Sequence, residues 1–251
     1  MNAPERTRYE KQIALAQIGP EGQTRLAAGK VAIIGCGALG SAQAQILVRA
    51  GVGSVRLVDR DVVECTNLHR QMLFDEDDAR VARPKVEAAA QKLARANSDC
   101  RLETRHIEAN PRTLPELIDG CDLVLDATDN VRTRLNIDEA CRRARLPWIY
   151  GGVLGPQGLM VPMPVDAPCL RCLFGEPPAP DETPDIAQSG VLASIVVAIA
   201  SLQATAALRF LIGNPPPRQL VTMDIWDMSI RRIALTAGPR PGCDCASHTA
   251  L

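Results

Sequence analysis

Three glycines, Gly35, Gly37 and Gly40, stand in a GxGxxG spacing between an apolar run, Lys30 to Ile34, and a segment of helical periodicity, Leu39 to Ala50. Glycines there let the chain turn tightly and let phosphate or ribose approach a backbone that no Cβ shields. The helix start that follows offers unpaired N–H groups and a partial positive charge. Asp59 lies 19 residues after Gly40, at the end of a second apolar run, where a carboxylate can accept from a ribose hydroxyl. These features alone suit a nicotinamide-dependent oxidoreductase as well as a triphosphate-using enzyme. The residues after Asp59 favour the triphosphate. Asp61, Asn67, Arg70 and Gln71 fall just beyond the second strand, Lys85 opens a helix, and Asp126, Asp129 and Asn130 end or follow the run Leu123 to Asp126. In an open α/β sheet ligands bind beyond the carboxyl ends of the strands, so these groups are expected to converge on one crevice. Arg and Lys there would neutralise phosphoryl charge and an Asp would hold Mg2+, which hydride transfer does not need.

A second chemistry is written in the cysteines, nine in all. An odd count in a chain of this size fits poorly with a disulfide framework, and the polar start MNAPERTRYEKQ lacks the apolar region of a secretory signal. A reducing cytoplasmic setting is expected. Cys169 with Cys172 (CLRC) and Cys243 with Cys245 (CDC) form two close pairs far apart in sequence, the pattern of a tetrahedral Zn2+–thiolate site. Cys36, Cys65, Cys100, Cys121 and Cys141 read as small buried or half-buried hydrophobes. His69 is expected to face solvent or a partner subunit, and His106 to be structural. Trp148, Tyr150 and Trp226 read as core or rim.

The elements that must position these groups alternate. Ser54 to Asp59, Arg101 to Ile107, Leu123 to Asp126 and Pro147 to Tyr150 read as strands, while Arg83 to Ala96 and Val131 to Arg145 read as helices. Such alternation predicts βαβ units and a mostly parallel sheet. After Gly151 the texture changes, and the Pro- and Gly-dense stretch from Gly155 to Pro184 reads as loop. Val191 to Leu208 carries no charge but contains Ser194, Ser201, Gln203 and Thr205 and much Ala. A spanning helix needs about 20 predominantly apolar residues, so a buried core helix is expected and no membrane span. Leu220 to Asp224 and Ile230 to Thr236 read as a hairpin. With 28 Lys and Arg against 29 Asp and Glu, and 3% aromatic residues, neither bulk phosphate attraction nor base stacking favours a nucleic-acid partner.

The motifs RYEKQI, GCGALG, DRDVVECTNLHRQ, RPKVE, DATDN and CLRC, with the C-terminal Cys pair, span nearly the whole chain. Through them the sequence resembles the MoeB/ThiF adenylyltransferases of the ubiquitin-activating-enzyme superfamily. The resemblance implies an α/β fold with a Rossmann-like, mostly parallel sheet flanked by helices, extended by C-terminal antiparallel strands and a zinc-bound knot of four cysteines. It implies one adenylation unit in three parts: an N-terminal helical arm (1–29), a nucleotide-binding half (30–151), and a crossover-loop, carrier-binding and zinc region (152–251). The implied activity is ATP-dependent adenylation of the C-terminal glycine of a ubiquitin-like sulfur-carrier protein ending in Gly-Gly. The sulfur would serve molybdopterin, thiamine or a thiolated tRNA.

Carried over by the resemblance, Asp59 binds ribose and Ala38 meets the nucleotide through its backbone. Asn67 and Arg70 hold phosphates, Lys85 stabilises the α-phosphate, and Asp129 binds Mg2+ beside Asn130. The family inserts a basic side chain from the partner subunit of a homodimer, and Lys11 stands where Arg is usual. The second pair is CxC where the family has CxxC, so Cys245, or else His248, is the fourth zinc ligand. The stretch DIAQSGV puts Ile186 where thioester- or persulfide-forming relatives carry Cys, so no covalent carrier intermediate on that loop is expected. The chain ends soon after its second Cys pair, so sulfur is expected from a separate sulfurtransferase or cysteine desulfurase. A tRNA-modifying dehydratase of the same superfamily and an inactive scaffold are the competing readings within that resemblance.

Overall fold

The computed structural model describes residues 7–176, 190–236, 238–243 and 245. Strand β1 (Lys30–Ile34) sets the layering: Val31 and Ile33 point into one apolar layer, Ala32 and Ile34 into the other, and all four are buried. A strand apolar on both faces must be covered on both, which is the condition of a parallel sheet wound with helices. Strands β2 (Ser54–Val58), β3 (Arg101–Arg105), β4 (Leu123–Asp126) and β5 (Trp148–Leu154) follow, and β6 (Gln157–Met163), β7 (Gln219–Asp224) and β8 (Ser229–Ala234) complete one eight-stranded sheet. Its order is β3-β2-β1-β4-β5-β6-β7-β8; the first five strands run parallel and the last three alternate antiparallel.

Helices α1 (Glu10–Ile13) and α2 (Gly19–Ala28) precede the sheet. Helix α3 (Ala38–Ala50) joins β1 to β2, α4 (Glu76–Arg80) and α5 (Lys85–Ala96) join β2 to β3, and α6 (Leu114–Ile118) leads to β4. Helix α7 (Val131–Arg143) joins β4 to β5, α8 (Leu170–Phe174) follows β6, and α9 (Ala193–Leu211) precedes β7. One face of the sheet is covered by α3, α5 and α9, the other by α6, α7 and α8.

Helix α9 is 19 residues, long and apolar enough to cross a membrane by length and composition. Here it lies on α3 and on β4, β5 and β6. Ile195, Val196 and Ile199 are fully buried, roughly 1.5–3 kcal/mol each in favour of that packing. Gln203, also fully buried, donates to Asp126 O at 2.8 Å and accepts from Gln43 at 2.7 Å. This is a core helix, as its polar residues indicated.

The loop expected from Gly155 to Pro184 is corrected in two places: residues 157–163 are β6 and residues 170–174 are α8, while 177–184 lie outside the described residues. Pro162 argued against a strand, because proline has no N–H for a ladder. Beside β7 the pairing of β6 runs only from Gln157 to Met160, so Pro162 falls where β6 has a neighbour on one side alone. Strand β5 also runs past Tyr150, through Gly151 and Gly152 to Leu154.

Candidate functional site

Strand order reverses between β1 and β4, and a crevice of about 960 Å3 opens beyond their carboxyl ends. Small-molecule sites run to roughly 1,000 Å3, so this one is large. The glycine loop forms its floor. Gly35 has φ 97° and lies so close to Ala127 O that a Cβ would stand 2.6 Å from it. Gly40 serves packing: a Cβ there would collide with Gly35 O. It does not line the crevice, which corrects its expected ligand contact. Gly37 is different, since a Cβ there would meet only Gln71 Nε2, at 3.6 Å. It is the N-cap of α3, and no side chain caps that helix start. Gly37, Ala38 and Leu39 therefore present an uncapped helix N-terminus to the cavity, a built anion site.

Asp59, at the end of β2, ties this loop down. One carboxylate oxygen accepts from Cys36 N at 2.6 Å and the other from Asp61 N at 2.8 Å. Lys85, the first residue of α5, donates from Nζ to Asp61 Oδ2 at 3.0 Å and from its backbone N–H to Asp61 O at 3.0 Å. Its side chain is 8% exposed and that of Asp61 56%. The ammonium thus sits in the wall with one solvated counter-ion, able to exchange it for a bound phosphate. Asn67 uses its Oδ1 to accept from Glu64 N at 3.2 Å, and Arg70 donates to Thr66 O at 3.0 Å. Both line the crevice. Gln71 is buried on its wall, and its Oε1 has no hydrogen-bond partner.

On the β4 side, Asp129 is exposed to the cavity and carries one long hydrogen bond, from Asn130 Nδ2 at 3.5 Å. Asn130 Oδ1 caps α7, accepting from Thr133 N at 2.8 Å. Asp126 does not reach the cavity, contrary to the expectation that it converge there. It is fully buried, accepting from Thr128 N and Oγ1 at 2.9 and 2.7 Å, with its other oxygen 3.2 Å from Arg134 Nε. Burial pushes the Asp126 carboxyl up against the opposing pull of Arg134. Arg134 itself lines the crevice; its Nη2 donates to Thr128 O at 2.7 Å and its guanidinium lies 5.1 Å from the centre of the Tyr150 ring. Its place on the wall was not read from sequence, although it is one helical turn beyond Asn130. The turn from Ile107 to Pro111, also on the wall, carries no sequence signal.

Lys11 is not brought to this crevice. It is exposed on α1, whose Gln12 donates to Ala50 O at the far end of α3. Thirteen residues of helix separate that end from the glycine loop, about 20 Å at 1.5 Å per residue. Cys65 is exposed, correcting its reading as buried or half-buried: it sits on a single 3-10 turn, 65–67, outside the apolar layers. His69 is exposed, 2.9 Å from Arg70 Nη1, and His106 lies beyond β3 with Nε2 2.8 Å from Arg60 O. Trp148 is core, whereas Trp226 is 76% exposed on the β7–β8 turn.

The second constellation lies at the other end of α7. The sulfurs of Cys169, Cys172, Cys243 and Cys245 are all within 4.8 Å of one another. Cys169 and Cys243 are 3.6 Å apart, Cys172 and Cys245 3.5 Å, far beyond the roughly 2.05 Å of a disulfide. A tetrahedral thiolate site with Zn–S of about 2.3 Å places its sulfurs about 3.8 Å apart, so the four residues fit such an ion. Burial holds the Cys169 thiol up, while the Cys245 backbone N–H pulls Cys243 down. Cys245 joins the cluster; His248 and Ile186 lie outside the described residues.

A doubly wound sheet, a glycine loop under an uncapped helix, and an acid at the end of β2 define a nucleotide-binding α/β protein. Residues 9–245 match the model of the ThiF family, and the chain belongs to that family. It is 38% identical to the sulfur carrier protein ThiS adenylyltransferase of Bacillus subtilis over 94% of this chain and 71% of that protein. It is 35% identical to the SAMP-activating enzyme E1 of Haloferax volcanii, over 95% of this chain and 88% of that one. A sulfur carrier protein adenylyltransferase of Thermus thermophilus is 36% identical over 94% and 90%. Among solved structures, E. coli MccB crystallised with ATP superposes with a TM-score of 0.81 at 23% identity, over 96% of this chain and 74% of that one, a likeness of fold.

Proposed function

We propose that this chain is an ATP-dependent adenylyltransferase of a ubiquitin-like sulfur carrier, joining the carrier's C-terminal glycine carboxylate to AMP with release of pyrophosphate. The observation that carries the reading is the crevice itself: an uncapped helix start, a nearly buried Lys85, Asn67, Arg70, a Gln71 whose Oε1 has no partner and a loosely held Asp129 face one cavity. The relatives are named for the same activity.

Two anions must meet for a carboxylate to attack the α-phosphorus, so cations and N–H donors matter most where charge develops. Asp59, with both oxygens already aimed by backbone N–H groups, keeps lone pairs for the ribose. The backbone at Gly37 and Ala38 takes phosphate, Asn67 and Arg70 hold the chain of phosphates, and Lys85 leaves Asp61 for the α-phosphoryl oxygens. Asp129, with little else to bind, would hold Mg2+, which when bound supplies charge neutralisation for the leaving pyrophosphate. Gln71 donates from its amide Nε2 to the same phosphates.

The carrier docks at the same end of the sheet. Strand β7 ends opposite the start of β6, so the β7–β8 turn lies beside the β5–β6 turn at the crevice end. Trp226 and Met228 there are 76% and 90% exposed, apolar surface of the kind that marks a protein partner. Lys11 reaches a crevice only from a second chain, so the active form is a homodimer. The four-cysteine cluster holds Zn2+.

The test is mass spectrometry of a carrier ending in Gly-Gly, incubated with the chain, ATP and Mg2+. The carrier is expected to gain one adenylyl group, lost when its C-terminus is amidated. An unmodified carrier, with ATP bound but unconsumed, overturns the reading.

A further inference from the structure

Helix α7 carries Arg134, Asp138 and Arg142 at i, i+4 and i+8, so the three share one face. Arg134 belongs to the crevice; the other two have no part in it. Asp138 is 5% exposed, and its Oδ2 accepts from Leu170 N at 3.1 Å, between the two cysteines of the first pair. Arg142 donates from Nη1 to Ala167 O at 3.0 Å and from Nη2 to Cys245 O at 3.2 Å. One guanidinium thus spans the two arms that carry the two cysteine pairs. Among the described residues, few other contacts hold the C-terminal arm. Residues 238–243 are exposed or half-buried, and that arm meets the first pair through the sulfurs and through Arg240 N, 3.3 Å from Cys172 Sγ.

We infer that Asp138 and Arg142 are the positioning residues of the four-cysteine metal site, orienting the two ligand arms from α7 around the bound ion. This rests on the zinc reading above. A planar guanidinium suits the task, because its separate nitrogens reach two carbonyls in fixed directions, which an ammonium does not. Partners of this kind around a metal site are worth about 10–100-fold in metal affinity. Because Asn130 and Arg134 lie on the same helix, the site also anchors the far end of the element that carries one crevice wall.

The test is release of zinc from the loaded full-length chain to the chromogenic chelator pyridylazoresorcinol. Arg142→Met keeps the stem and removes both donors; it is expected to release zinc about 10–100-fold faster, with Asp138→Ala faster than wild type and Arg142→Lys in between. Glu139→Gln, on the exposed face of α7, is expected to match wild type. Release from Arg142→Met at the wild-type rate overturns the inference. A thermal-melting cycle separates positioning from simple stapling: the drop caused by Arg142→Met should vanish in a Cys169→Ser/Cys243→Ser background. An equal drop in both backgrounds overturns the proposal. A wild-type chain that takes up no zinc overturns the zinc reading itself, before any variant is compared.

Discussion

The two ends of α7 differ in what they leave unsatisfied. At its start Asp129 has one 3.5 Å hydrogen bond, Gln71 Oε1 has none, and the neighbouring α3 has no side-chain cap. At its end Arg142 is bound to two carbonyls and Asp138 to a backbone N–H, one Asp138 oxygen alone lacking a partner. Unpaired polar groups beside a cavity wait for a ligand, since burying them without a partner costs about 1–3 kcal/mol each. Paired ones hold chain segments together. The crevice end is therefore built for turnover and the cysteine end for support.

The largest effect is expected at the crevice. Asp129→Ala and Lys85→Ala should each lower the rate of adenylation about 10²–10³-fold, and Asp129→Ala should leave thermal melting unchanged. A melting drop in Asp129→Ala would break the contrast between the two ends. Removing the metal comes next. Stripping zinc, or Cys169→Ser/Cys243→Ser, should lower the melting point by about 5–10 °C, a few kcal/mol at roughly 2–4 °C per kcal/mol, while the cold-assayed rate survives. If the rate vanishes with the fold intact, the ends are not separable.

Gln71→Leu sharpens the comparison. Its Oε1 has no partner to lose, so stability should hold, while loss of the Nε2–H donor to phosphate raises KM for ATP about 10-fold, the worth of one hydrogen bond to a charged group. The smallest effect lies away from both ends. Lys92 donates to Asp75 and Asp78, pinning the segment before α5, and holds the Asp75 carboxyl down to about 2. A carboxyl depressed in the folded state stabilises above its ordinary value near 3.9, and that contribution is lost as pH falls towards 2. Lys92→Met should flatten the acid-unfolding curve between those values, read by circular dichroism.

The centre of the parallel sheet was legible because β1 and β4 are apolar on both faces and because β1, β2 and β4 end at or just before Gly or Asp. Ile34 is followed by the glycine loop, and Val58 by Asp59. The crevice residues were legible for the same reason, since strand ends fix where side chains go. Strand β6 was hidden by Pro162, whose tolerance depends on where β7 stops pairing, a fact of the finished sheet. Gly40 and Asp126 read as ligands but serve packing, because type and spacing do not distinguish a group facing a cavity from one facing the loop beneath it. Arg142 gave no signal: its partners are backbone carbonyls, which every sequence has.

Carrier-dependent exchange of labelled pyrophosphate into ATP, followed in wild type and in Asp129→Ala across a Mg2+ titration, tests the assignment of the crevice most directly. Wild type should exchange only when a carrier with a free C-terminal glycine is present, and Asp129→Ala should lose that exchange while remaining folded. Undiminished exchange in Asp129→Ala, or exchange indifferent to the carrier, would contradict it.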